Sequence, residues 1–125
     1  MTKDCLLKKV EKQELEAKEF GFYWEDFHQL FEQIQSECSE IQEAWDNKNF
    51  EHLQEEVGDL IHAAVSLAIF FKLDPHETMS KSINKFQKRF DALVVLAQND
   101  GHNHLHQQSF DILLNYWKRA KAQVK

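Results

Sequence analysis

Two acidic pairs carry the clearest chemical potential in this sequence: Glu37-x-x-Glu40 and Glu56-x-x-Asp59. Positions three apart lie on one helix face, so each pair aims two carboxylates at one spot. Relative to Ile34, Glu37 lies roughly 60° and Glu40 roughly 120° to one side; relative to Val57, Glu56 lies roughly 100° and Asp59 roughly 160° to that same side. If the two helices form an antiparallel hairpin, the four acids converge beside its core. Converging carboxylates repel one another unless a positive charge sits between them. Hard divalent cations with oxygen preference, Mg²⁺ or Mn²⁺, are the natural relief; zinc, which favours His and Cys ligands, suits this set less well. The competing reading is a pair of solvated helix faces, since i,i+3 acidic pairs arise readily among 21 acids.

Further features bear on the same chemistry. Gly58 sits between Glu56 and Asp59 inside a helical pattern, where it costs about 1 kcal/mol relative to Ala. Close crossing of another helix is one reason to keep it; room for a metal-bound phosphate or water is the other. Lys81, Lys85, Lys88 and Arg89 fall at i,i+3 and i,i+4 spacing, a local basic stripe that is either solvated surface or an anchor for polyphosphate oxygens.

The elements that must position these residues are helices. Only three Gly and one Pro occur in 125 residues, too few for the turns of a sandwich or barrel. A first helix is expected over residues 6–20, stopped by Gly21. A second starts near Trp24 with the stripe Phe27, Leu30, Phe31, Ile34, Cys38, Ile41 and Trp45, making Cys38 a small core residue. Asn49 caps a third helix with the stripe Leu53, Val57, Leu60, Ile61, Ala64, Ala68 and Phe71. Asp74-Pro75-His76-Glu77 opens a fourth, to about Ala97, and a fifth spans about Gln107 to Ala122. The fold class is therefore all-α, a four to five helix bundle in a single domain over residues 1–125. The third helix is apolar almost all round after Ile61, so it is either central in a monomer or buried by dimerisation.

With 21 acidic against 15 basic residues, the net charge of −6 argues against a nucleic-acid or anionic-membrane partner. The apolar run from Leu60 to Phe71 is too short to span a bilayer. Met1–Asp4 leads into a charged stretch with no secretory h-region, and two cysteines make no disulfide framework; a cytoplasmic setting is expected. His102, His104 and His106 alternate in a polar loop and are given no catalytic role.

Taken together, these segments resemble the MazG-like all-α nucleoside triphosphate pyrophosphohydrolase superfamily. Its hallmark E-x-x-E helix followed by E-x-x-D matches Glu37-Cys38-Ser39-Glu40 and Glu55-Glu56-Val57-Gly58-Asp59-Leu60. Phe22-Tyr23-Trp24 stands in the place of a C-P-W segment, and Ile83-Asn84-Lys85-Phe86-Gln87-Lys88-Arg89-Phe90 is similar to the closing K-x-x-x-R helix. The resemblance covers about residues 20–93. Ser36 stands where many members carry a further Glu, and Tyr23 where they carry Pro. The resemblance implies Mg²⁺-dependent hydrolysis of a nucleoside triphosphate between its α- and β-phosphates, giving a monophosphate and pyrophosphate. It also implies Glu37, Glu40, Glu56 and Asp59 as catalytic metal ligands, Lys85, Arg89 and Asn84 as phosphate contacts, and Trp24 against the base, where a core anchor is the alternative. Assembly as a homodimer or dimer of dimers is implied as well. Two other functions compete: phosphoribosyl-ATP pyrophosphohydrolase within the same superfamily, and a non-catalytic helical oligomerisation or binding module.

Overall fold

The computed structural model describes residues 5–125; Met1–Asp4, on which the expectation about a leader segment falls, lie outside the described residues. Five helices follow in order: α1 (Leu6–Phe20), α2 (Phe27–Asp46), α3 (Phe50–Phe70), α4 (Pro75–Asn99) and α5 (Phe110–Gln123). No strand occurs among the described residues, and the all-α expectation holds. The chain divides into two compact units, one ending at Thr78 and the other running Met79–Lys125.

Each boundary in the first unit has a local cause. Gly21 adopts φ 102°, and the amides of Gly21 and Phe22 donate to the carbonyls of Lys18 (3.0 Å) and Ala17 (2.8 Å). This left-handed stop uses the freedom that only glycine offers cheaply. Asp26 then caps α2, its side chain accepting from the Gln29 amide at 2.9 Å, while Gln29 Oε1 accepts from the Glu25 amide at 2.9 Å. That cap moves the helix start past the expected one, so Tyr23 and Trp24 lie in the α1–α2 loop. Asn47–Asn49 link α2 to α3, with the Asn49 side chain accepting from the His52 amide at 3.2 Å. So short a connection makes α2 and α3 an antiparallel hairpin. On it, α1 packs against α3.

The buried faces of the hairpin are turned from the expected stripes. On α2 the inward positions are Phe27, Leu30, Ile34, Glu37, Ile41 and Ala44; on α3 they are Leu53, Glu56, Leu60 and Ala63, after which Val65 and Ser66 are buried and Leu67, Ala68, Ile69 and Phe70 half-buried. Cys38 is exposed rather than in the core, and Trp45 and Ile61 are 59% and 61% exposed. The helices carry two overlapping apolar stripes, and hydrophobicity alone favours the one without acids. Packing selects the other, in which Glu37 and Glu56 occupy core register.

In the second unit, Ala97, Tyr116 and Ala120 are buried. The Phe86 ring lies 5.6 Å from that of Trp117, and Tyr116 Oη donates to Asp100 Oδ2 at 2.8 Å. That hydrogen bond, with Arg119 Nη1 at 3.1 Å, holds the Asp100 carboxyl below its ordinary pKa. Ser109 caps α5 by accepting from the Ile112 amide at 3.3 Å, two residues beyond the expected helix start.

Leu30 is 1% exposed at the centre of the hairpin core. Leu30→Ala should lower unfolding free energy by about 2–5 kcal/mol in chemical denaturation. A loss below about 1 kcal/mol would contradict this core register.

Candidate metal centre

The hairpin brings one carboxylate oxygen each from Glu37, Glu56 and Asp59 within 4.8 Å of one another. Glu40 stands beside Glu56 as the fourth member. Glu37 and Glu56 are only 7% and 6% exposed, whereas Glu40 and Asp59 face outward. Gln33 Nε2 donates to Glu37 Oε1 at 2.8 Å, and His52 Nε2 lies 3.3 Å from Glu56 Oε1. The second oxygens of Glu37 and Glu56 are buried without a hydrogen-bond partner. Buried anionic oxygens with no donor are costly, so the cluster must take up positive charge as a proton or a cation.

Without a cation, the proton settles on Glu56. Its pKa is pushed up to about 8, first by hydrogen bonding with Glu40, then with Glu37, then by burial and the repulsion of both neighbours. Three of the four expected acids thus meet in one cluster, and Glu40 adjoins it through Glu56. All-oxygen donors, two of them orphaned and buried, fit a hard divalent cation. An adjoining cavity of about 240 Å³ contains Glu37 and Asp59 and is lined also by Trp24, Leu30, Gln33 and His62. Trp24 is 37% exposed, part of the cavity wall rather than a core anchor.

A Cβ added at Gly58 would meet no atom within 4 Å, so no other described element crosses closely there. Asn84, Lys85 and Arg89 belong to the second unit. Asn84 and Lys85 are exposed, while half-buried Arg89 donates through Nε to the Val124 carbonyl at 3.1 Å. Gln33 and His52 escaped the sequence reading, although each sits four residues before the acid it contacts. That i,i+4 spacing, applied to polar partners of the acids, was the available signal. Ser66 and Glu14 also line the cavity, and no local spacing links them.

The fold and site define an all-α protein in which carboxylates from both arms of a helical hairpin converge on one candidate cation site. The chain belongs to the family of the MazG nucleotide pyrophosphohydrolase domain, whose model matches residues 25–94. It is 35% identical over 106 residues to a nucleoside triphosphate pyrophosphohydrolase/pyrophosphatase MazG of Thermotoga maritima, covering 85% of this chain and 40% of that protein. It is 31% identical over 70 residues to the uncharacterized protein YabN of Bacillus subtilis, covering 56% of this chain and 14% of that protein. The chain therefore spans less than half the length of either relative.

The raised Glu56 pKa has a consequence for stability. The folded, cation-free protein holds this proton more tightly than the unfolded chain, whose reference value is 4.5. The stability so gained is complete below that value and is lost as pH rises through about 8. In EDTA, this contribution should make Tm fall between about pH 4.5 and 8, and Glu56→Gln, which cannot ionise, should flatten that fall. Superimposable pH profiles for the two proteins would contradict the shared proton.

Proposed function

We propose that this chain is a Mg²⁺-dependent nucleotide pyrophosphohydrolase, cleaving (d)NTPs between the α- and β-phosphates to (d)NMP and pyrophosphate. The observation that carries the reading is the pair of buried, partnerless oxygens on Glu37 and Glu56 facing Asp59 and Glu40. Glu37, Glu40, Glu56 and Asp59 would hold the cation, with Mn²⁺ an acceptable substitute. Bound there, it would acidify water and draw charge from the phosphates.

The remaining work falls to the chain's own groups. Gln33 fixes Glu37 by donating to one oxygen, which leaves the other for ligation. His52 stands beside the second pair, its Nε2 3.3 Å from Glu56 Oε1 and its Nδ1 3.6 Å from Glu55 Oε2. One of the four acids, or exposed Glu55 as an unligated base, would accept the proton of the attacking water. Lys85, Arg89 and Asn84 would bind the leaving pyrophosphate; Arg89 spends Nε on Val124 and keeps its terminal nitrogens for oxyanions. Trp24, in the cavity wall, would stack on the base.

We also assign the outward apolar stripe of the hairpin to a second copy of the chain. Phe31, Trp45, Val57, Ile61 and Phe71 are each at least 40% exposed, and burying such a side chain fully gains about 1.5–3 kcal/mol. The stripe runs along both arms of one hairpin, as a self-complementary two-fold interface requires.

Purified protein incubated with a panel of ribo- and deoxynucleoside triphosphates and Mg²⁺ should release pyrophosphate. Asp59→Asn and Glu56→Gln should each lower kcat by about a hundredfold or more with the helical circular dichroism unchanged. No release from any nucleotide with Mg²⁺ or Mn²⁺ would refute the activity, and undiminished turnover in both variants would refute the ligand set.

A further inference from the structure

One polar contact lies away from the acidic cluster and has no part in the chemistry above. Ser66 is a polar side chain in the apolar second half of α3, and it is 6% exposed. Its hydroxyl has two acceptors in reach, Glu14 Oε1 on α1 and the His62 carbonyl at 3.1 Å on its own helix, and its single proton favours the charged carboxylate. α1 lies outside the residues matched by the family. The contact fixes the Glu14 carboxylate, whose second oxygen has no hydrogen-bond partner among the described residues. A carboxylate oxygen so held can only accept.

Glu14, Trp24 and Ser66 line the cavity that contains Glu37 and Asp59, and the same three line a second cavity of about 760 Å³. They form the wall that the two share. The larger cavity has apolar and aromatic lining from Leu15, Tyr23, Ile69 and Phe70, with Trp24 at the shared wall. Its charges cancel: Lys12, Lys18 and Lys72 stand against Glu11, Glu14 and Asp74. A formally neutral, aromatic-lined chamber suits an uncharged flat ring, while phosphates are drawn to the cation end.

Resting on the pyrophosphohydrolase reading, the geometry points to Glu14 as a specificity-determining residue. Its Ser66-held carboxylate accepts a hydrogen bond from an exocyclic amino group of the nucleobase. The site therefore prefers amino-bearing bases, such as cytosine, over keto bases such as uracil. Uracil turns a carbonyl oxygen to the same place, where it meets an acceptor with no proton to offer. Glu14 is half-buried, and an acceptor facing an acceptor once the base covers it discriminates more strongly than a change in size.

The test is calorimetric binding of α,β-imido analogues of dCTP and dUTP, in Mg²⁺, to the full chain and to Glu14→Gln. The wild-type protein should bind the cytosine analogue about tenfold or more tighter. Glu14→Gln, whose amide can donate to a carbonyl, should bring the ratio to about one or invert it. A ratio measured on one preparation does not depend on the folded fraction. Ser66→Ala, which frees the carboxylate, provides a second variant and should move the ratio the same way. A wild-type ratio near one, or equal weakening of both analogues by Glu14→Gln, would overturn the assignment. Pyrophosphate release from hydrolysable dCTP is scored separately. Base discrimination without release would refute the pyrophosphohydrolase reading alone, and release without discrimination would refute the role of Glu14 alone.

Discussion

Two carboxylates face each other across the seam of a helical hairpin, each with one oxygen sealed from water and given no donor. Such a contact is repulsive, and the low dielectric that would strengthen a hydrophobic core makes it worse. The rest of the first unit is arranged so that it persists. A three-residue link fixes the register of α2 against α3, Gln33 donates to one Glu37 oxygen, His52 lies 3.3 Å from one Glu56 oxygen, and apolar layers at Leu30 and Ala63 hold the arms together. A proton held around Glu56 relieves the repulsion. On the proposed reading, exchange of that proton for a cation among the four acids prepares the site for hydrolysis.

Placing the four acids on two helices rather than on loops limits how far they can relax away from one another. Carboxylates that could swing into solvent would lose their burial and their raised proton affinity together. The nucleotide end has a different construction. Trp24 stands in a loop between a glycine stop and an Asp cap, and Glu14 reaches across from α1 to a serine on α3. The proposed cation chemistry thus falls on the hairpin within the family-matched residues, and the proposed choice of base on a wall drawn partly from outside them.

Much of this was legible in the residues. The caps at Asn49 and the Asp74-Pro75 start, the stop at Gly21 and the scarcity of Gly and Pro are local signals, and local hydrogen bonding realises them. The acidic quartet was legible from spacing, because i,i+3 geometry survives into the folded helix. The register of the core was not. Cys38, Trp45 and Ile61 belong to the more apolar stripe, yet the stripe that packs inward carries Glu37 and Glu56. A helix apolar on two sides does not announce which side its partner covers, and the acids disguise the one that wins. The Glu14–Ser66 contact, 52 residues apart in sequence, depends on how α1 meets α3, which no local pattern encodes.

The exchange of proton for cation can be counted directly. Titrating Mg²⁺ into the protein near pH 7 by calorimetry, in buffers of different ionisation enthalpy, gives the number of protons released per cation bound. Because Glu56 holds its proton up to about pH 8, close to one proton should leave with each binding event in the wild type, and close to none in Glu56→Gln. Mg²⁺ binding to the wild type without proton release, or no Mg²⁺ binding at all, would contradict the account of the buried pair as a cation site.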